Sequence, residues 1–112
     1  MVVPKQNPGD NFIDVDDAAF LGLMEASKKV AAALRKAFDI YRVGLVIEGE
    51  AVPHLHVKLI PMHGVGRQSS DQRHDLAFSE AYQGFLTTIE GPKMSDERLQ
   101  EIQAKIQKAA AS

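Results

Sequence analysis

A chain of 112 residues, 45% of them hydrophobic, fits one small globular domain with a modest core, and no apolar run reaches the length of a membrane span. With 13 basic and 15 acidic residues the net charge is −2, which argues against a nucleic-acid binder working through a broad electropositive surface; a bound phosphate must be met locally. The absence of cysteine excludes a disulfide framework, a thiolate metal site and a catalytic thiol.

The start, Met1-Val2-Val3-Pro4-Lys5, lacks the basic and apolar regions of a signal peptide, so a soluble protein of the cytoplasm is expected. Val2 and Val3 read as the tail of a strand, and Lys5 to Asp10 as a loop rich in turn formers. Asp14, Asp16 and Asp17 offer N-caps and negative charge where a helix begins. The helix is expected over Asp17 to Phe38, with Phe20, Leu23, Met24, Val30, Ala31, Leu34 and Phe38 on one stripe and Lys28, Lys29, Arg35 and Lys36 covering the other side. Two apolar runs follow, Val43–Ile47 and His54–Ile60, joined through the turn-prone Glu48-Gly49-Glu50 and read as a β-hairpin whose second strand lies between Pro53 and Pro61.

Beyond the hairpin, Met62 to Gln72 has the composition of a loop, and Asp75 to Gly84 reads as a short helix or as irregular structure. Phe85-Leu-Thr-Thr-Ile89 has strand-like content that stops at Gly91-Pro92. Ser95-Asp96-Glu97 supplies an N-cap and an acidic first turn for a last helix, whose stripe of Leu99, Ile102, Ile106 and Ala109 needs a partner surface.

The chemistry concentrates in His54-Leu55-His56-Val57-Lys58-Leu59-Ile60. Strict alternation turns His54, His56 and Lys58 to one face of a strand and Leu55, Val57 and Leu59 to the core. Neighbours in the polar row stand roughly 6.5–7 Å apart, close enough to meet one small anion together. Alternation is also what any half-buried strand shows, so the row can equally be an ordinary wet face. An imidazole attacks phosphorus only with one nitrogen unprotonated and the other held by an acceptor, demands that His56 can meet, while the Lys58 ammonium can stabilise charge building on phosphoryl oxygens.

A zinc site from His54 and His56 with His63 or His74 is the competing chemistry. It is disfavoured because Lys58 shares the face and the strand holds no carboxylate; no metal site is expected. Glu48 and Glu50 near the turn are candidates to orient a ribose or a histidine, against the plainer reading of exposed turn carboxylates. Gly64-Val65-Gly66 with Arg67 lacks a Walker or Rossmann pattern and reads as an ordinary loop.

Val52-Pro53-His54-Leu55-His56-Val57-Lys58-Leu59-Ile60-Pro61 resembles the signature of the histidine triad (HIT) family, three histidines alternating with apolar residues. The leading Val2-Val3-Pro4-Lys5, the long amphipathic helix, the apolar strand with Gly44 and the flanking prolines stand where that family has them. The resemblance covers about Val2 to Met62. It implies an α+β fold, an antiparallel sheet with a long amphipathic helix packed on it and a C-terminal helix, all in a single domain. It also implies a nucleotide hydrolase or nucleotidyl transferase that attacks the α-phosphate of an adenylate, phosphoramidate or dinucleoside polyphosphate.

By position, the resemblance makes His56 the nucleophile and His54 the first histidine that shapes the site, while Lys58 replaces the third histidine. Lys58 and Glu50 are the residues assigned to the nucleotide and its phosphate. No cofactor is expected, and the implied partners are a nucleotide or nucleotide conjugate and a second copy in a homodimer, with no nucleic acid and no membrane. Lys58 can donate to oxyanions but is a poor proton shuttle at neutral pH, which puts leaving-group protonation in question. The chain also begins at a strand that the family precedes with further strands, a short helix and a histidine, and Asn7 stands where many relatives carry histidine. A natural short form, a misassigned start and a chain cut inside the domain are the open explanations. The alternative function is a HIT-fold nucleotide-binding or interaction module without catalysis.

Overall fold

Aspartate and serine caps set where the helices start. The Asp16 carboxylate accepts from the Ala19 amide at 3.2 Å, and its carbonyl takes the Phe20 amide, so α1 runs over Asp17–Phe38 as its apolar period predicts. Its far end closes with Asp39 at φ 49° and the Ile40 amide reaching back 3.2 Å to the Arg35 carbonyl, the left-handed cap that satisfies a last-turn acceptor. Ser95 caps α2, Asp96–Ala111, through its Oγ on the Arg98 amide at 3.2 Å.

Between the helices stand β1, Arg42–Glu48, and β2, His56–Met62, paired as a two-stranded antiparallel sheet. A computed structural model describes residues 1–66 and 91–111 of the chain. The expectations for Asp75–Gly84, for the strand Phe85–Ile89 and for the part of the loop beyond Gly66 lie outside the described residues. The architecture is α+β, with a long helix, an antiparallel hairpin and a C-terminal helix. None of its described helices is long and apolar enough to cross a membrane.

The chain divides into two compact units, Met1–Ala32 with Gly44–Ile60, and Ala33–Val43 with Pro61–Ser112. In the first, Val15, Leu23, Leu55 and Val57 form the core, with Val2, Phe20, Ile47 and Leu59 packed against it. The apolar half of the alternating segment thus faces α1 as the pattern requires, and Val57 is wholly buried. Val2 pairs antiparallel with Val57 through two backbone hydrogen bonds of 2.8 and 2.9 Å, an isolated bridge where the sequence suggests the tail of a strand. In the second unit, Phe38 meets His63 edge-on at 5.6 Å and lies under the Lys105 ammonium of α2 at 5.2 Å. The stripe of α2 stays at the surface, with none of its residues buried.

Two strand limits differ from the sequence reading. β2 starts at His56 rather than His54, because the backbone before it is engaged elsewhere: the Leu55 amide donates to Gly9 O at 2.8 Å and the His54 amide turns back to Val52 O at 2.7 Å. It also runs through Pro61 to Met62, since a proline near the end of an edge strand forfeits little of the ladder. The turn after β1 is held by contact rather than by a conventional tight-turn pair. A Cβ on Gly49 would strike the backbone of Asp10, falling 2.8 Å from its Cα and 2.9 Å from its carbonyl carbon. Backbone cannot rotate away as a side chain can, so Gly49→Ala is expected to cost about 2 kcal/mol, in the range of overpacked sites. A thermal melt checks this, with Tm falling by roughly 10 °C for a protein of this size.

Candidate active site

The loop from Gly49 to Leu55 and the N-terminal segment hold each other in place. The Asn7 amide donates to Pro53 O at 2.9 Å while its Oδ1 accepts from the Gly9 amide at 3.0 Å. The His54 ring bonds Pro4 O at 3.0 Å through Nε2. Because a carbonyl only accepts, that nitrogen carries the hydrogen. His54 therefore ties the N-terminal segment to the loop, standing just ahead of β2 instead of extending a three-member row along it.

His56 is the buried member of the motif, its side chain 10% exposed. Its Nδ1 donates to the His54 carbonyl at 2.9 Å, which fixes the ring and leaves Nε2 without a proton in the neutral tautomer. Facing Nε2 at 3.5 Å is Oε1 of Glu48, and the same oxygen accepts a hydrogen bond from Lys58 Nζ. The hydrogen bond from Lys58 is the largest cause holding the Glu48 carboxyl below the usual carboxylate range; partial burial opposes it, and the charges of Lys58 and His56 reinforce it. Glu48 is therefore an anion at neutral pH, standing between the imidazole and the ammonium.

Of the residues singled out in the sequence, His56 and Lys58 are brought together, with Glu48 as the link between them. Glu48 and Glu50 are both sequence candidates to orient a ribose or a histidine, and Glu48 is the one of the two that faces the His56 ring. The signal available was its place at the end of β1, where a hairpin sets it across from the first residues of β2. Glu50 is exposed and lines a cavity of about 520 Å³ beside this cluster, together with Asp10, Phe12, Ile47, Glu48 and Leu55. The parts played by Asp10 and Phe12 had no sequence signal, because they depend on the Asp10 backbone closing onto Gly49.

His63 packs on Phe38, and His74 lies outside the described residues; no group of three His, Asp or Glu residues suited to a metal forms among the described residues. Arg67, weighed with Gly64–Gly66, is likewise outside them, and Gly66 O accepts from Arg42 Nε at 2.9 Å.

A tautomer-fixed imidazole on a hairpin strand, backed by a long helix, places this chain among small α+β domains with a histidine-centred polar site. The family model described as HIT domain matches residues 1–65, more than half of the chain, and the chain belongs to that family, whose members bind nucleotides and act as nucleotide hydrolases or transferases.

Proposed function

We propose that the chain transfers a nucleotidyl group through His56, acting at the α-phosphate of an adenylate, phosphoramidate or dinucleoside polyphosphate. The observation that supports this reading is the His56 Nδ1 bond to the His54 carbonyl, which fixes the ring with Nε2 facing Glu48, the carboxylate that Lys58 also holds. The Nε2 lone pair forms the bond to phosphorus, the bond from phosphorus to the leaving group breaks, and its electron pair departs with that group. Water then cleaves the nucleotidyl-histidine, giving a nucleoside monophosphate and returning the ring to its free state. Lys58 leaves Glu48 to meet the phosphoryl oxygens. His54 is a positioning residue acting through its carbonyl. Glu50, which can only accept, serves the part of the substrate beyond the phosphate. Incubation with an activated adenylate, acid quench and intact-mass measurement are expected to show one added nucleotidyl group.

A second reading has a specific observation behind it. The Glu48 carboxylate already holds the Lys58 ammonium, the cation that would otherwise receive a phosphate, which suits a module that binds without turnover. Saturable AMP binding with no adduct and no product would select it.

The same proposal includes a homodimer formed through α1 and its neighbouring strand. It is supported by exposed apolar side chains on both, Leu21 at 65% and Leu45 at 40%. Light scattering at micromolar concentration is expected to give twice the chain mass; the monomer mass would remove the dimer.

A further inference from the structure

Cleavage of a nucleotidyl-histidine by water needs a proton acceptor, because the attacking water must lose a proton as its oxygen joins phosphorus. The motif itself supplies none. In that intermediate His56 Nε2 is bonded to phosphorus and Nδ1 donates to the His54 carbonyl, so the ring has no lone pair left. Lys58 is an ammonium at neutral pH, which donates but does not accept. The His54 ring is turned to Pro4 O, at the junction with the N-terminal segment.

Glu48 has the right chemistry and the right neighbours. Its Oε1 stands 3.5 Å from His56 Nε2 and accepts from Lys58 Nζ, and the same residue lines the cavity of about 520 Å³ beside Phe12, Ile47 and Leu55. One residue thus borders both the reacting nitrogen and a space large enough for a leaving group and, after it, for water. Of the three carboxylates that line the cavity, Asp10, Glu48 and Glu50, it is Glu48 that pairs with the imidazole and the ammonium.

The bond to Lys58 sets the order of events. In the resting site it is the main cause holding the Glu48 carboxyl below the usual carboxylate range, and it makes the group a weak base. When Lys58 turns to the phosphoryl oxygens that bond is withdrawn, and partial burial, which acts in the opposite direction, is left to raise the basicity of the carboxylate.

We propose, resting on the nucleotidyl-transfer reading, that Glu48 is the general base of the second step, taking a proton from a water in the cavity as the water oxygen attacks phosphorus. The new phosphorus–oxygen bond forms, the bond from phosphorus to Nε2 breaks, and its electron pair returns to the ring. The products are a nucleoside monophosphate, free His56 and a protonated Glu48, which gives its proton to solvent and takes Lys58 back. The first step needs no base, since the Nε2 lone pair is free, so removing the carboxylate stops the cycle after the adduct.

The test follows the adduct by rapid denaturing quench and intact mass, with an activated adenylate in excess over the full chain. Wild type is expected to form the adduct and clear it as product appears. Glu48→Gln is expected to form it on nearly every chain and to clear it about a hundredfold more slowly, the scale of a positioned general base. Glu48→Ala with added formate is the companion, because a small carboxylate admitted to the vacated space is expected to speed clearance by about tenfold, which a structural role for Glu48 would not produce. Clearance at the wild-type rate in Glu48→Gln, no adduct in either Glu48 variant while wild type is active, no response to formate, or equally slow clearance in Asp10→Asn overturns the assignment and leaves transfer through His56 standing. Wild type giving neither adduct nor product removes both.

Discussion

His56→Ala is expected to abolish the nucleotidyl adduct and to lower kcat/KM by about a thousandfold or more, the scale on which enzymes lose activity with their nucleophile. The substitution removes the ring nitrogen that faces Glu48 and whose partner nitrogen is held by the His54 carbonyl. The effect must be separated from simple unfolding, because His56 is buried and its loss leaves the His54 carbonyl without a partner. A melt of the same variant provides that separation. His54→Ala is the informative companion. It keeps the carbonyl that orients His56 and loses only the ring's bond to Pro4 O, so its kcat/KM is expected to fall by about tenfold or less, the modest cost of one positioning contact. Equal activity of wild type and His56→Ala toward an activated adenylate would defeat the mechanism, and equal losses in the two variants would defeat the division of roles between the histidines.

The division of roles also shows which parts of this molecule are written locally. Helix α1 begins and ends where its apolar period and flanking residues place it, because both the Asp16 cap and the turn at Asp39 are made within a few residues of the helix ends. The hairpin and the packing of Val57 and Leu59 toward the core follow from strand alternation in the same way, whereas Leu55 is buried just ahead of β2. The start of β2 was not legible, since it depends on Gly9 O and Asn7, each 46 positions earlier than its partner, taking hold of Leu55 and Pro53. Glu48 and Glu50 could not be told apart for a related reason: the partners of Glu48 sit on the facing strand, and nothing in Glu48-Gly49-Glu50 shows which carboxylate turns to the histidine. The acidic cavity lies further from sequence still, requiring Gly49 to admit the Asp10 backbone. Long-range backbone contacts, rather than residue types, decide the surroundings of the motif.

Lys58→His is expected to invert the leaving-group preference. A histidine at this position restores a group that can carry a proton at neutral pH, and positioned acid–base groups contribute roughly 10²–10⁴-fold to rates that need one. Turnover of a nucleoside phosphoramidate, whose departing nitrogen must be protonated, should therefore rise by about tenfold to a hundredfold, less than the full range because the new ring is not pre-set by evolution of its surroundings. An acyl adenylate needs no such proton and loses a permanent positive charge from its phosphoryl oxygens, so its turnover should fall. The substitution also withdraws the hydrogen bond that most strongly holds the Glu48 carboxyl acidic, and Glu48 then has only the imidazoles for partners on this face. Opposite changes in kcat/KM for the two substrates, measured side by side, are the signature of a proton-transfer defect at position 58. A parallel rise or parallel fall would mean that Lys58 acts only through charge or through packing, and that the missing third imidazole does not limit the chemistry of this chain.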